Sequence, residues 1–395
     1  MKKIAFTTSA LLFAFLTNAQ CDSLMSKSLN TFAISAYKQV ANVKANKNFV
    51  FSPLSINFAM RMTEAGAQNQ TYNEIALTIN RFEDKQTVNQ NVTRFLNSYE
   101  DKGDYKLKIA NAVWLQKDYK LQSNYTDILQ NNYLAKAQNV DFSTSKNRKR
   151  TCNTINKWVS TETNGMIKEL VSPNVVSRDT RLVLTNAIYF KCNWQSQFRS
   201  SNNRTHKFHS IDGSESELNF MKQTEHLKYF ENDTMKIVSL PYSSDIFQMF
   251  FLLPAQNHFN SVETALQLNS LTSIMQKMEE QQVEISIPKF KIETDIEFTN
   301  LLKQMGVIEA FSNNADFSLM TSRNDLKISQ VLHKAVIEVE EKGTEAAAAT
   351  AVIMNLKSAY MPQLKRFIAD RPFIYFIWDS ANNTMLFAGR YVMAQ

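Results

Sequence analysis

Near the C-terminus, the run Glu341-Lys342-Gly343-Thr344-Glu345-Ala346-Ala347-Ala348-Ala349-Thr350-Ala351 follows directly on a strand-like stretch from Val336 to Glu340. After Gly343 it contains no Gly, Pro or Asn until Asn355, so it lacks the residues that normally turn a chain. Alanine is the strongest helix former, which allows a surface helical turn here. The same side chains are also small enough to slide between the strands of an existing sheet. In period-two alternation Thr344, Ala346, Ala348 and Thr350 share one face, and Glu345, Ala347 and Ala349 the other. The first face would bury only small, uncharged groups. Local sequence leaves the two readings open, and the choice between them turns on what the rest of the chain builds.

The rest of the chain predicts large sheets. Lys108 to Gln116, Arg181 to Lys191 and Lys327 to Glu340 carry apolar residues on both faces, as central strands covered on both sides do. Met235 to Tyr242, Ile246 to Leu253, Phe373 to Asp379 and Met385 to Val392 read as further strands. Helices come first: Leu24, Leu29, Phe32, Ala36, Tyr37 and Val40 recur at helical spacing. Ser52-Pro53 is a helix start, with a capping hydroxyl followed by a residue that has no N–H to leave unpaired. This is an α+β pattern, not a βαβ repeat.

That frame gives the alanine run a context. The stretch Glu341 to Ala349 resembles the reactive-loop hinge of the serpins, the serine protease inhibitor superfamily. Asn48-Phe49-Val50-Phe51-Ser52-Pro53-Leu54-Ser55-Ile56 is similar to the family's entry into its second helix. Leu184-Thr185-Asn186-Ala187-Ile188-Tyr189-Phe190-Lys191 with Trp194 resembles the third strand of its main sheet. His333-Lys334-Ala335-Val336, Phe367-Ile368-Ala369-Asp370-Arg371-Pro372-Phe373 and Phe387-Ala388-Gly389-Arg390 complete the series. Their order and spacing span nearly the whole chain.

The resemblance implies a single domain over residues 21–395, with three β-sheets, eight or nine helices and an exposed reactive-centre loop at about 343–362. It implies no catalytic activity and no cofactor. The target protease, expected to be trypsin-like, attacks the loop and forms an ester. The loop then inserts as a new central strand before water can release it. Counting from Glu341 by the family's spacing places the attacked bond at Lys357–Ser358. A bond one residue earlier, after Leu356, would suit a chymotrypsin-like protease instead. The hinge comprises Glu341, Gly343, Thr344, Glu345, Ala346, Ala347, Ala348 and Ala349. Ser52, Ser55, Asn186 and His333 match the family's "shutter", a polar cluster beneath the place where the sheet opens. Trp194, Lys289 and Glu341 match the top of that opening. A non-inhibitory member (a carrier, chaperone or storage protein) is the alternative, though its hinge usually carries a bulky, charged or Pro residue. Thr344 and the alanines argue against it.

Composition narrows the remaining classes. The chain has 395 residues, 44% hydrophobic and 21% charged, with no composition shift and no internal repeat. Its seven glycines make no phosphate loop and no G-x-S-x-G nucleophile elbow. His206 and His209 stand three apart, but a zinc site needs at least one further ligand, and the bland reading is surface histidines. The basic run Lys146, Arg148, Lys149 and Arg150 lacks the aromatic interleaving of nucleic-acid binders. It reads as the start of a solvated helix from Thr151 to Thr161. A sulfated polysaccharide is the minority reading. The stretch matching the family's best-known heparin helix, about Thr87 to Tyr99, holds only Arg94 as a base.

Residues 1–20 read as a signal peptide. Lys2 and Lys3 precede an apolar stretch from Ile4 to Leu16, and Thr17-Asn18-Ala19 offers small residues for cleavage after Ala19 or Gln20. No later stretch is long and apolar enough to suggest a membrane span. The expected product is a secreted, extracellular monomer whose formal net charge falls from +7 to +5 with the loss of those two lysines. Asn69, Asn91, Asn124, Asn203, Asn232 and Asn382 head Asn-x-Ser/Thr sequons open to glycosylation in a eukaryotic host. Asn382, expected in a turn between two strands, suits a sugar best. Cys21, Cys152 and Cys192 are too few for a disulfide framework, which leaves room for one bridge or an intermolecular bond through Cys21.

Overall fold

The computed structural model describes residues 5–81, 83–99, 105–344 and 364–395, with side chains from residue 23 onward. Among these residues the helices are α1 (Ala5–Val43), α2 (Pro53–Ala65), α3 (Asn69–Thr78), α4 (Lys85–Asn97), α5 (Ser123–Tyr133), α6 (Ser145–Glu162), α7 (Phe259–Thr264), α8 (Leu268–Gln276) and α9 (Thr299–Gln304). The strands are β1 (Phe49–Phe51), β2 (Tyr105–Gln116), β3 (Lys136–Val140), β4 (Leu182–Asn193), β5 (Arg204–His209), β6 (Glu215–Glu231), β7 (Met235–Pro241) and β8 (Phe247–Pro254). They continue with β9 (Glu279–Pro288), β10 (Phe290–Glu297), β11 (Ile328–Glu340), β12 (Gly343–Thr344), β13 (Lys365–Ile368), β14 (Phe373–Asp379) and β15 (Thr384–Tyr391).

The main sheet runs β10-β11-β12-β4-β2-β3, and the other nine strands run β1-β15-β14-β8-β7-β6-β9-β13 with β5 on β6. Two of the three expected layers are joined here through β6. Most of that 17-residue strand pairs with β5 and β9, while Tyr229 to Glu231 at its far end pair with β7.

The central strands follow the apolar patterning closely. β4 is buried from Leu182 to Phe190, and the last seven residues of β2 are buried as well. One face of the sheet lies on α2, all 13 residues of which are buried. Ser52 starts that helix as expected, its Oγ accepting from the Ser55 N–H at 3.2 Å. The opposite face packs against α6 and the segment after it, through Ile155, Val159, Ile167 and Val171 around Trp114.

Two expectations change. Helix α6 begins at Ser145 rather than Thr151, because Thr144 caps it by accepting from the Asn147 N–H at 3.2 Å. The basic run therefore lies within the first turns of the helix instead of ahead of it. Cys152 and Cys192 are both buried and free, so they form no bridge with each other.

Candidate functional site: the opening between β4 and β11

Over their lower halves β4 and β11 are direct parallel neighbours, from Ile328 opposite Leu182 to Ala335 opposite Ile188. Above that they part. The chain leaving β11 turns at Glu341-Lys342 and folds back as β12 between them. Gly343 lies opposite Asn193 and Glu340, and Thr344 opposite Cys192 and Val339. Gly343 is required at this position. Its φ is +153°, and a Cβ there would meet the Cys192 carbonyl oxygen at 2.3 Å and the Asn193 Cα at 2.5 Å. Thr344 is 2% exposed, and its hydroxyl lies 2.7 Å from that of Tyr242. Tyr242 in turn stacks on Trp194, with ring centroids 4.5 Å apart. The hinge therefore places its first small, uncharged side chain inside the sheet.

The residues expected at the top of the opening come together around Glu341. Its two carboxylate oxygens have separate partners: Lys289 Nζ at 2.9 Å from Oε2, and Asn203 Nδ2 donating to Oε1 at 2.7 Å. Burial by itself would raise this pKa, but the hydrogen bonds from Lys289 and Asn203 outweigh it and hold the carboxyl below its ordinary value. Trp194 donates from Nε1 to the Glu340 carbonyl at 2.8 Å and from its backbone N–H to the Lys342 carbonyl at 2.9 Å. The Phe198 N–H donates to the Glu341 carbonyl at 2.8 Å. The turn is thus held at three consecutive carbonyls and one side chain.

The four shutter residues also meet, lower in the sheet. Asn186 and His333 are direct partners across β4 and β11, and Asn111 lies opposite Asn186 on β2. His333 Nδ1 lies 2.5 Å from Asn186 Oδ1, while its Nε2 accepts from the Ser52 N–H at 3.1 Å. A backbone N–H can only donate, which places the proton of the imidazole on Nδ1. Asn186 Nδ2 donates to Ser55 Oγ and to Asn111 Oδ1. Ser52 Oγ donates to the Leu386 carbonyl at 2.7 Å. Burial pushes the His333 pKa down to about 3, so the whole row is neutral. Sequence reasoning missed Asn111 and Asn203. An amide inside the apolar run Ile109 to Val113 was the available signal for Asn111. Asn203 had no signal other than its sequon.

The remaining expected sites fall elsewhere. Glu345, Ala346, Ala347, Ala348, Ala349 and the bond Lys357–Ser358 lie outside the described residues. Among the sequons, Asn69, Asn124 and Asn232 are exposed. Asn91 is 4% exposed on the inner side of α4, so a glycan cannot be carried there without displacing the helix. The sugar expected on Asn382 meets a similar obstacle, because its Nδ2 donates to Asp379 Oδ2 at 2.6 Å and to Ser98 Oγ at 3.1 Å. Asn69 Nδ2 donates to Asp316 Oδ2 at 2.7 Å.

Comparison with known proteins agrees with this geometry. The serpin (serine protease inhibitor) family model matches residues 27–394. An uncharacterized serpin-like protein of Thermococcus kodakarensis is 38% identical over 365 residues, covering 92% of this chain and 84% of that protein. The crystal structure of Serpin48 from the insect Tenebrio molitor superposes with a TM-score of 0.85 at 28% identity, covering 95% of this chain and 99% of the other. Human thyroxine-binding globulin, complexed with thyroxine, also gives 0.85 at 28% identity, with 93% and 98% covered. A family match across nearly the whole chain, a β-sheet that opens around a short inserted strand and the polar row beneath it lead to one conclusion: this chain belongs to the serpin superfamily.

Proposed function

We propose that this chain is a secreted suicide-substrate inhibitor of trypsin-like serine proteases, cleaved at Lys357–Ser358 and completed by insertion of its loop into the main sheet. The observation that carries this reading is the position of β12. Gly343 and Thr344 are paired on both sides, and the strand direction is the one an inserting loop needs.

Continuing that register gives the proposal detail. Residues 345, 346 and 347 would lie opposite Lys191, Phe190 and Tyr189 of β4, which β11 does not contact as strand partners. Three further residues therefore enter without breaking a pairing, and Glu345 would share the outward face with Lys191. Residue 348 meets the first closed pair, Ala335 and Ile188, and Thr350 reaches the level of Asn186 and His333. Every residue of Thr344's parity is Ala or Thr as far as Thr350, so nothing bulky or charged is carried onto the Tyr242 face. About 14 inserted residues gain on the order of 28 kcal/mol of ladder bonds at about 1 kcal/mol each. Ordering them costs about 1–2 kcal/mol per residue. The two nearly offset each other, so release of strain in the uninserted sheet supplies the net drive.

Lys357 supplies the specificity: its ammonium suits the carboxylate at the base of a trypsin-like primary pocket. The carrier alternative has less support. Thr344 and the alanines after it are the small hinge residues that an inserting loop needs. The apolar cavity lined by Ile34, Tyr37, Leu266, Leu271, Phe376 and Met385 measures about 10 Å³, barely room for one water. The larger clefts of about 310 and 410 Å³ are lined in part by charged residues such as Lys303, Lys327, Asp295 and Lys334. Incubation with trypsin, read on a denaturing gel, tests the proposal. The expected result is an SDS-resistant complex, a released fragment beginning at Ser358 and loss of trapping in Lys357→Ala. A fragment beginning at Lys357 moves the reactive bond to Leu356–Lys357 and the target class towards chymotrypsin. Clean cleavage without any complex removes the inhibitory reading.

A further inference from the structure

We propose that Asn203 is a positioning residue for the hinge: it holds Glu341, and with it the two-residue strand β12, in the parked state through the amide N–H it donates. This rests on reading the chain as a loop-inserting serpin, but not on which protease it meets. The segment from Phe198 to Asn203 grips Glu341 twice, through the Phe198 N–H on its carbonyl at 2.8 Å and through Asn203 Nδ2 on its Oε1 at 2.7 Å. Lys289 occupies only the other carboxylate oxygen, at 2.9 Å. The amide therefore fixes a rotation of the carboxylate that the lysine does not.

The other end of the same side chain shows what sets its orientation. Asn203 Oδ1 is buried and has no hydrogen-bond partner among the described residues. Such an atom is costly, and turning the amide over would be worse, because it would set two acceptors against each other with no proton between them. Asn203 thus accepts an unpaired carbonyl in order to donate to Glu341. The donating atom is also the one a glycosyltransferase would modify in the sequon Asn203-Arg204-Thr205. A sugar on Nδ2 would leave that nitrogen a single N–H and set a saccharide beside Glu341, so an occupied sequon would disturb this grip on the hinge.

Hydrogen exchange of the segment 339–344 in the purified full chain tests this, since it needs no protease. Asn203→Ala is expected to raise exchange of these amides about tenfold, as loss of one charge-assisted bond implies. Asn203→Asp should raise it further at pH 7, where the new carboxylate faces Glu341, with Glu340 and Lys289 beside it and Arg199, Arg204 and Lys342 nearby in the chain. That excess should fall as the pH drops through the carboxylate range, with intrinsic exchange rates corrected for. Asn203→Thr, which offers a hydroxyl donor and no stranded carbonyl, should restore protection and controls for misfolding. Equal exchange in the parent and Asn203→Asp at pH 7 would overturn the proposal, as would an Asn203→Asp excess that does not change with pH. Failure of the protein to trap trypsin, with these exchange differences intact, would sink the protease assignment and leave the positioning role standing.

Discussion

The two ends of the gap between β4 and β11 are closed by opposite kinds of chemistry. At the top, Glu341 and Lys289 are charged and partly exposed, at 16% and 32% of their side-chain surface, and water and salt screen their attraction. Halfway down, Asn111, Asn186, His333, Ser52 and Ser55 are neutral and at most 3% exposed, with every bond made to a desolvated partner. A screened contact is cheap to make and to break. A buried polar row is costly to leave half satisfied. On the proposed mechanism the upper end would yield to the first residues of an inserting loop, and the lower end would resist until the loop satisfied the groups it displaces.

The largest expected effect comes from forcing the upper end to take a charge. Thr344→Arg would bury a guanidinium beside Tyr242 and Cys192, at several kcal/mol. Insertion should then lose the race with deacylation, and trypsin should cleave the variant without being trapped. Trapping with unchanged stoichiometry would show that entry of this side chain does not limit insertion.

The lower end should announce itself through pH. His333 titrates near 3 in the fold, against an ordinary value of 6.5. The unfolded chain thus takes up a proton as pH falls through 6.5 while the folded chain does not. The stabilisation is complete above pH 6.5, declines as the pH drops towards 3 and falls no further below that. At 1.36 kcal/mol per unit the loss is at most about 5 kcal/mol. Comparing urea midpoints of the parent and His333→Gln at pH 7 and pH 4.5 isolates this contribution from the carboxylates. Parallel pH curves for the two proteins would mean that the row is not the buried neutral latch described here.

The smallest effect belongs to the exposed pair. Glu341→Lys replaces an attraction worth about 0–1 kcal/mol with a repulsion of similar size and leaves Asn203 facing a cation. Mild heating should produce more polymer on a native gel, less so at high salt. If polymerisation and inhibitory yield both match the parent, Lys289 and Glu341 play no part in keeping the opening shut.

Much of this was legible before any coordinates. Apolar residues on both faces of Arg181 to Lys191 and Lys327 to Glu340 placed those strands centrally, because only a sheet covered on both sides tolerates such a pattern. Ser52-Pro53 announced a helix start through capping chemistry that acts within three residues. The small side chain at Thr344 was readable as well, since side-chain size and charge decide what a sheet can admit.

Four particulars were not legible. These are the parking of Thr344 on Tyr242, the place of Asn111 in the polar row, the grip of Asn203 on Glu341, and the burial of the Asn91 side chain together with the bonds of the Asn382 amide to Asp379 and Ser98. Each depends on residues distant in the chain meeting at one level of register. Sequence spacing fixes which face a side chain shares with its neighbours, through a local steric period. It does not fix which strand lies opposite, or how far two strands part before a third enters, because those follow from the packing of whole layers.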